Sequence, residues 1–314
     1  MPSWEALIDG YIKVGRSKGL AEATIRNQAR EFERFGNWLS RRRPRVPLDQ
    51  VDGDQVIRFV EKRAAFRSRA TVSGVVSILR GIGEYLVQQG VWIKNPLRWI
   101  RGPKLDRRSH LPKRINKEHL KALMGAAQAR AEVHSRYQAI CLLAILYGTG
   151  LRLGELSRLD LESWDRETAI LKVDGRKTGR ARSLAVGEGV WRCIEAYLPH
   201  RHNRLEKCGC FQERALLVNC QGQRLNAANI RTTIRRLATA AKVPFVTIHQ
   251  FRHSCASDLL EAGVSLPEVQ RMMGHASIQS TVIYVDIADP CRAAAMEKHP
   301  LNQFLAGDGR REAA

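Results

Sequence analysis

The chain has 314 residues, and its 52 Lys and Arg against 31 Asp and Glu give it a formal net charge of +21. This length predicts two domains, since a domain takes about 150 residues on average, and a hydrophobic content of 44% is enough to build their cores. The basic residues run through both halves rather than gathering beside one apolar segment, which favours DNA as the partner and argues against a membrane surface.

The first part of the chain, residues 1–95, is predicted to form an N-terminal helical domain that binds DNA. Apolar positions at helical spacing predict helices over residues 20–43, 54–65 and 69–89. Pro44 follows the first of them, as expected of a residue that cannot continue a helix. Lys and Arg on the outer faces of such helices would hold the phosphates on one side of a duplex.

Residues 96–116 are predicted to form a basic linker between the domains. Pro96, Pro103 and Pro112 interrupt this segment, and seven Lys and Arg charge it. Two interpretations are open. The linker either lies along the backbone of bound DNA, which its charge favours, or only tethers the two domains.

The remainder, residues 117–314, is predicted to form a C-terminal domain that combines helices with a small sheet. An apolar run over 137–147 predicts a buried helix, and alternating residues over 169–173 and 182–186 predict two strands of a hairpin. Four further helices are predicted over 188–197, 226–241, 250–262 and 267–273. The predicted fold class is therefore mainly α with a small β-sheet (α+β).

Five short motifs in this domain contain cationic side chains and a phenol that suit phosphodiester chemistry. A phosphodiester under attack becomes doubly charged, so its cleavage depends on cations, and the arginine fork binds its oxygens without deprotonating. The candidates are Arg152 in Thr-Gly-Leu-Arg-Leu-Gly-Glu-Leu, Lys177 in Gly-Arg-Lys-Thr-Gly-Arg-Ala-Arg, His249 and Arg252 in His-Gln-Phe-Arg-His, His275 in Met-Gly-His-Ala-Ser, and Tyr284 in Val-Ile-Tyr-Val. Such a set needs no metal or cofactor, and we expect neither.

Three of these residues also have an interpretation without catalysis. Arg152 could be a surface residue in a turn, His275 a residue that caps a helix, and Tyr284 an aromatic of the core.

Glu155 is a candidate for a supporting role. It lies three residues after Arg152, on the same helical face, so its carboxylate could hold the guanidinium on the side away from the phosphate.

Taken together, the motifs resemble those of the tyrosine recombinase (lambda-integrase-like) family, which includes Xer-type enzymes and the integrases of transposons and phages. In that family an arginine in Gly-Leu-Arg-x-x-Glu-Leu is followed by a His-x-x-Arg box, a Leu-Gly-His box and the tyrosine. This chain has all four in that order, with Met-Gly-His as the third. The resemblance implies a two-domain clamp around DNA, with an N-terminal SAM-like core-binding domain and a C-terminal catalytic domain. A tail over 288–305 would exchange between protomers or pack on its own domain.

The resemblance also implies a role for each site residue. Tyr284 attacks the scissile phosphate, forms a 3′-phosphotyrosyl link and frees a 5′-hydroxyl. Arg152 and Arg252 clamp the phosphate. His249 accepts the phenol proton or orients the phenol, and His275 donates a hydrogen bond to a phosphate oxygen.

The general acid of the family is a lysine on a hairpin, and here the sequence departs from the usual Gly-Lys-Gly-x-Lys-x-Arg pattern. Counting back from Arg182 selects Lys177, whereas counting forward from Gly175 selects Arg176. Since arginine does not release a proton near neutral pH, Lys177 is the chemical choice. Lys172, on the preceding strand, is the alternative.

Seven cysteines without a regular framework, in a chain that begins without the basic-then-apolar pattern of a secretion signal, predict reduced thiols. No apolar run is predicted to be long enough to span a membrane. We therefore expect a cytoplasmic, nucleoid-associated protein with no membrane partner. A zinc site formed by His200, His202, Cys208 and Cys210 is an alternative, although their spacing departs from the common Cys-x2-Cys pattern.

The function that the resemblance implies is site-specific DNA recombination. A homo-tetramer on two double-stranded DNA sites would exchange strands through a Holliday junction, with or without an accessory protein or second recombinase. Integration, excision, transposition of a mobile element and resolution all use this chemistry. Two alternatives are a type IB topoisomerase-like DNA relaxase, against which the N-terminal module argues, and a catalytically inactive DNA-binding regulator, against which the intact Tyr284 argues.

Overall fold

The computed structural model describes residues 2–44, 46–65, 67–103, 114–175 and 181–274. Contacts group the chain into two compact units, Met1–His110 and Leu111–Ala314. Leu97 is buried in the core of the first unit, and Ile115 in the core of the second. Both residues fall within the predicted linker, so part of that segment packs against each unit. The domain boundaries proposed from the sequence remain a prediction.

The first unit is helical. Its described residues form α1 (Trp4–Ser17), α2 (Glu22–Ser40), α3 (Gly53–Ala64) and α4 (Arg69–Gln88). The three helices predicted for this part of the chain correspond to α2, α3 and α4, and α1 is an addition. A capping box between Asp52 and Gln55 starts α3, and the Ser68 side chain caps α4, so side-chain oxygens satisfy backbone N–H groups at these helix starts.

Aromatic rings form much of the core of the first unit. Phe32 is fully buried and meets Trp4 and Tyr11 edge-to-face, with ring centroids 5.0 and 5.6 Å apart. Tyr11 meets Tyr85 in the same way. Pairs of this kind contribute about 0.5–1.5 kcal/mol each beyond the area they bury. They join α1, α2 and α4, which gives the unit a core of its own.

Among the described helices, α4 is the one that is long and apolar enough by length and composition to cross a membrane. It is thus an exception to the prediction that no apolar run is long enough. Its apolar face is nevertheless buried, and Val75, Leu79, Ile82 and Leu86 belong to the core of the first unit. A core helix passes the same composition test, so α4 is weak evidence for a membrane span.

The second unit combines helices with a small sheet, as predicted. Its described helices are α5 (Lys117–Gln128), α6 (Val133–Thr149), α7 (Leu153–Leu156), α8 (Glu188–Cys208), α9 (Ala227–Ala240), α10 (Ile248–Glu261) and α11 (Leu266–Met273). The strands are β1 (Trp164–Asp165), β2 (Ile170–Val173) and β3 (Arg182–Ala185), in the antiparallel order β1-β2-β3. The register of β2 and β3 places Lys172 opposite Ser183.

Several elements of the second unit differ from the prediction, and helices α5 and α7 are additions to it. The strand β1 extends the predicted hairpin to a sheet of three strands. The helix predicted over 188–197 continues to Cys208 as α8, with Pro199 inside it. Proline in a helix interior removes one backbone hydrogen bond. Tertiary contacts offset this cost, because Tyr197 and Leu205 are buried and the Arg201 guanidinium binds backbone carbonyls.

Helix α6 lies at the centre of the second unit, in contact with α5, α8 and α10. Its apolar residues surround it, as expected of a buried helix. It ends at Gly150, whose φ of 59° lies in the left-handed region that favours glycine. A Cβ added there would also lie 2.8 Å from the sulfur of Met273. The turn after Gly150 leads directly to Arg152.

Candidate active site

Arg152 stands at the start of α7, immediately after the turn that ends α6. Its backbone is extended, and its N–H donates to Oε2 of Glu155 at 2.9 Å. The guanidinium donates from Nη1 to Glu155 Oε1 at 3.1 Å and from Nη2 to the carbonyl oxygen of Gly274 at 2.9 Å. The side chain keeps 29% of its surface exposed, so part of the guanidinium can meet a ligand.

Glu155 is a buried carboxylate between two arginines. Its side chain is 4% exposed, and Nη1 and Nη2 of Arg182 each donate to one of its oxygens at 3.0 Å. Burial by itself would raise the pKa of Glu155, but hydrogen bonds from Arg182 and Arg152 outweigh burial and lower the pKa to about 2. The group therefore stays charged at neutral pH. It holds Arg152 as the sequence predicts, and Arg182 is its second partner.

Helix α10 carries His249 and Arg252 one turn apart. A capping box between Thr247 and Gln250 fixes the start of this helix. Arg252 is 4% exposed, and its Nη1 donates to the carbonyl oxygen of Gly150 at 2.7 Å, while its Nη2 donates to that of Met273. The helix packs closely at this level because small residues follow, and Ser254, Cys255, Ala256 and Ser257 are all buried.

One cavity of about 660 Å³ brings together three of the predicted site residues, Arg152, His249 and Arg252. Arg152 immediately precedes α7 and the other two lie in α10, and about a hundred positions of sequence separate the two arginines. Arg231 and Arg235 of α9 also line the cavity. A cavity with four guanidiniums suits an anionic ligand such as a phosphodiester.

His253 lies beside this cluster and was not among the predicted site residues. Its ring centroid is 6.5 Å from that of His249. Burial, together with the smaller effects of the nearby His249 and Arg252, lowers the pKa of His253 to about 4. The imidazole is therefore neutral at neutral pH. The sequence signal for it is the final His of the His-Gln-Phe-Arg-His motif.

Three of the predicted site residues, Lys177, His275 and Tyr284, lie outside the described residues. Their roles remain predictions. The alternative to Lys177 is described: Lys172 is exposed on β2 and lines a second cavity with Asp174 and Ser183. This cavity is distinct from the one that contains Arg152.

The four residues of the zinc alternative have other contacts. His200 stacks on Tyr137 with ring centroids 4.0 Å apart, and His202 lies 3.2 Å from a carboxylate oxygen of Glu206. The thiols of Cys208 and Cys210 donate to backbone carbonyls. In the part of the chain that the structure describes, no group of three or more His, Cys, Asp or Glu could hold a metal ion.

The sequence pattern of the phage integrase family matches residues 113–290. This chain belongs to that family. The tyrosine recombinase XerC of Pelotomaculum thermopropionicum is 31% identical over 237 residues, which are 74% of this chain and 76% of that protein. The chain is therefore a tyrosine recombinase, a DNA strand-exchange enzyme.

Solved structures agree with this recombinase in fold. The XerH site-specific recombinase bound to a palindromic difH substrate, in a post-cleavage complex, matches with a TM-score of 0.73 at 20% identity, over 94% of this chain and 84% of that one. A lambda integrase tetramer bound to a Holliday junction matches with a TM-score of 0.67 at 18% identity, over 88% and 78%. The predicted two-domain recombinase fold is confirmed, and the recombinase is favoured over the topoisomerase and the inactive regulator.

Proposed function

We propose that this recombinase cleaves and rejoins specific DNA sites through a 3′-phosphotyrosyl intermediate, with Tyr284 as the nucleophile. The observation that carries the proposal is the meeting of Arg152, His249 and Arg252 in one cavity of a tyrosine recombinase fold. An inactive DNA-binding protein would have no need for two guanidiniums and an imidazole converging there.

The two arginines would hold the scissile phosphate by its non-bridging oxygens. Arg152 is braced by Glu155 and Arg252 by two backbone carbonyls, so both guanidiniums are fixed before DNA arrives. A fixed cation stabilises the charge that develops on the phosphate without reorganising, and one such donor is commonly worth about 10²–10³-fold in rate.

The reaction would be a transesterification. The phenol oxygen of Tyr284 bonds to phosphorus, the bond from phosphorus to the 5′-oxygen breaks, and the phenol proton passes to His249 or is directed by it. His275 donates a hydrogen bond to the phosphate. Lys177 gives a proton to the departing 5′-oxygen. One phosphoester replaces another, so a 5′-hydroxyl of a second strand can reverse the step without an energy source.

The basic surface of the first unit supports a second grip on DNA. Arg34, Arg41, Lys62 and Arg63 line a cavity of about 410 Å³ together with Trp38. The guanidinium of Arg42 lies 5.1 Å from the centre of the Trp38 ring. Lys and Arg contacts to phosphates hold a protein in register on a duplex without reading its sequence, and we assign that role to this surface.

Strand exchange needs two cleaved duplexes, so the proposed active form is a homo-tetramer on two double-stranded DNA sites that passes through a Holliday junction. A lambda integrase with the same fold is a tetramer on such a junction. The C-terminal tail over 288–305 would join neighbouring protomers. We place the protein in the cytoplasm, on the nucleoid, because double-stranded DNA is its proposed partner. An accessory protein or second recombinase and a mobile-element origin are compatible with this assembly.

Covalent trapping on nicked DNA tests the proposal. A fragment pool from the DNA around this gene, nicked so that cleavage releases a short oligonucleotide, is incubated with wild type, Tyr284→Phe and Tyr137→Phe. Tyr137 stacks on His200 and serves as the matched control. We expect a detergent-resistant adduct with wild type and with Tyr137→Phe, and none with Tyr284→Phe. Specific binding without any adduct would contradict the proposal, and relaxation of any plasmid would favour a topoisomerase.

A further inference from the structure

Arg182 is a nearly buried arginine at the start of β3, and all three of its guanidinium nitrogens are used. Its side chain is 10% exposed. Nη1 and Nη2 donate to the two oxygens of Glu155 at 3.0 Å each, and Nε donates to the carbonyl oxygen of Met272 at 2.9 Å. A fork that grips a carboxylate in this way fixes both distance and orientation.

The turn at the end of α11 is shaped around this side chain. Gly274 has a φ of 63°, and a Cβ added to it would lie 2.8 Å from Nη1 of Arg182. The carbonyl oxygen of Gly274 accepts from Nη2 of Arg152. Arg182 and Arg152 therefore contact the same turn and share the same carboxylate, since Nη1 of each donates to Oε1 of Glu155.

We propose that Arg182 is a positioning residue that acts through Glu155 and the Met272–Gly274 turn to aim the Arg152 guanidinium at one non-bridging oxygen of the scissile phosphate. The Arg152 guanidinium has two protein partners, Glu155 and the carbonyl oxygen of Gly274, and its side chain is partly exposed. Arg182 donates to Glu155 and to the carbonyl oxygen of Met272, so it contacts both the carboxylate and the turn that hold Arg152. The inference rests on the proposed function, in which Arg152 contacts the phosphate.

The number of cations around the carboxylate supports this assignment. A buried Glu155 with Arg152 as its single partner would bind that guanidinium in competition with the phosphate. With Arg182 present, each carboxylate oxygen already accepts a charged N–H, so Arg152 shares Glu155 instead of satisfying it alone. Lysine could not replace Arg182, because a single ammonium cannot reproduce a planar fork and a third donor to Met272.

The test uses wild type, Arg182→Lys, Arg152→Lys and the double variant in single-turnover adduct formation on nicked DNA. Three substrates carry at the scissile position a phosphate or one of the two methylphosphonate diastereomers, in which a methyl group replaces one non-bridging oxygen. We expect Arg182→Lys to lose about 10²-fold on the phosphate, because small misplacements cost rates of this size. The double variant should lose no more than about threefold beyond Arg152→Lys, since both act through one contact.

The diastereomers separate positioning from a structural role. On the diastereomer that lacks the oxygen bound by Arg152, the deficits of Arg152→Lys and Arg182→Lys should both shrink to within about tenfold of wild type, because the lost contact no longer has a partner. On the other diastereomer both deficits should persist. A loss for Arg182→Lys that is equal on all three substrates, or no loss at all, would overturn the inference.

Arg201→Lys is the matched control. Arg201 is also buried in the second unit and donates to the backbone carbonyls of Ala215 and Glu213 at 2.8 Å. Both variants are assayed below their measured melting temperatures. We expect Arg201→Lys to show no preference between the diastereomers, and a preference equal to that of Arg182→Lys would count against the inference.

Failure of the inference and failure of the proposed function give different results. If wild type forms no adduct on phosphate, the proposed function is wrong and the inference falls with it. If wild type forms the adduct and Arg152→Lys is selective for one diastereomer, the function stands. If Arg182→Lys then shows no difference between the diastereomers, the inference is overturned and the proposed function is not affected.

Discussion

The guanidinium of Arg252 donates a 2.7 Å hydrogen bond to the carbonyl oxygen of Gly150. Its other terminal nitrogen donates to the carbonyl oxygen of Met273. Each of these carbonyls lies two residues before a candidate in the sequence: Arg152 follows Gly150 in this way, and His275 follows Met273. One buried side chain from α10 thus links the ends of α6 and α11.

Arg252→Lys should reduce both stability and cleavage. An ammonium cannot donate to both carbonyls and to a phosphate with the geometry of the guanidinium. We expect a loss of about 1–3 kcal/mol in the free energy of unfolding from the unsatisfied buried carbonyl, and about 10²–10³-fold slower adduct formation. Urea unfolding and single-turnover trapping measure the two effects. Arg166→Lys, at an exposed arginine paired with Glu195, is the control. Unchanged cleavage by Arg252→Lys would contradict its proposed role.

Gly150→Ala should strain the turn at the end of α6, whose carbonyl oxygen accepts the hydrogen bond from Arg252. The backbone φ of 59° is unfavourable for alanine, and its Cβ would lie 2.8 Å from the Met273 sulfur. We expect a loss of about 1–3 kcal/mol in the free energy of unfolding. Gly209→Ala is matched in conformation, with a φ of 64°, but its Cβ would meet nothing within 4 Å. Gly209→Ala should therefore keep wild-type cleavage while Gly150→Ala loses it, and equal cleavage by the two would exclude a special role for the Gly150 turn.

The sequence allowed the amphipathic elements and the motif order to be predicted, because both are local patterns. Helix α4 shows an unbroken apolar stripe, and it was predicted to within a residue of its bounds. Helix α8 was predicted too short, because the tertiary contacts of Tyr197 and Arg201 that stabilise the helix around Pro199 are not part of a local pattern.

The site shows the same limit. Arg152, Glu155 and Arg252 stand in motifs whose context points to phosphate chemistry, so their candidacy could be predicted. In the sequence, Arg182 was used only to locate Lys177 in the hairpin. Nothing local indicates that its side chain reaches Glu155, which lies 27 residues earlier in the chain. A contact between a strand and a helix start depends on tertiary packing, which no spacing pattern contains.

Glu155→Gln should change how stability depends on pH. The folded-state pKa of Glu155, about 2, lies below its usual value of 4.5. The charged carboxylate therefore contributes stability that is fully present above pH 4.5 and is lost as the pH falls through 2. A shift of this size corresponds to about 3 kcal/mol. Urea unfolding of wild type and variant between pH 5 and pH 2 should show their difference narrowing as the pH falls.

Glu162→Gln is the control for that experiment, because Glu162 forms an exposed ion pair with Arg214. Exposed pairs of this kind contribute about 0–1 kcal/mol, so this variant should follow wild type across the whole range. If the difference between wild type and Glu155→Gln stays constant from pH 5 to pH 2, the carboxylate of Glu155 is not held by Arg182 and Arg152 as the structure indicates.

His253 should remain neutral well below the pH at which a free imidazole gains a proton. Its pKa of about 4 is lowered first by burial and then by His249 and Arg252. The unfolded chain binds a proton near pH 6.5, whereas the folded chain does so only near pH 4. Stability is therefore full above pH 6.5 and is lost as the pH falls towards 4, by about 3 kcal/mol for a shift of this size.

Nuclear magnetic resonance of the imidazole nitrogens at pH 6 checks this directly, with His253→Gln to assign the signal. We expect the His253 ring to be neutral at pH 6, and the free energy of unfolding of wild type to fall more steeply than that of the variant between pH 6.5 and pH 4. If the ring is protonated at pH 6, His253 itself adds a positive charge next to Arg252. The charge available to a phosphate in this cavity would then exceed that of the proposed site.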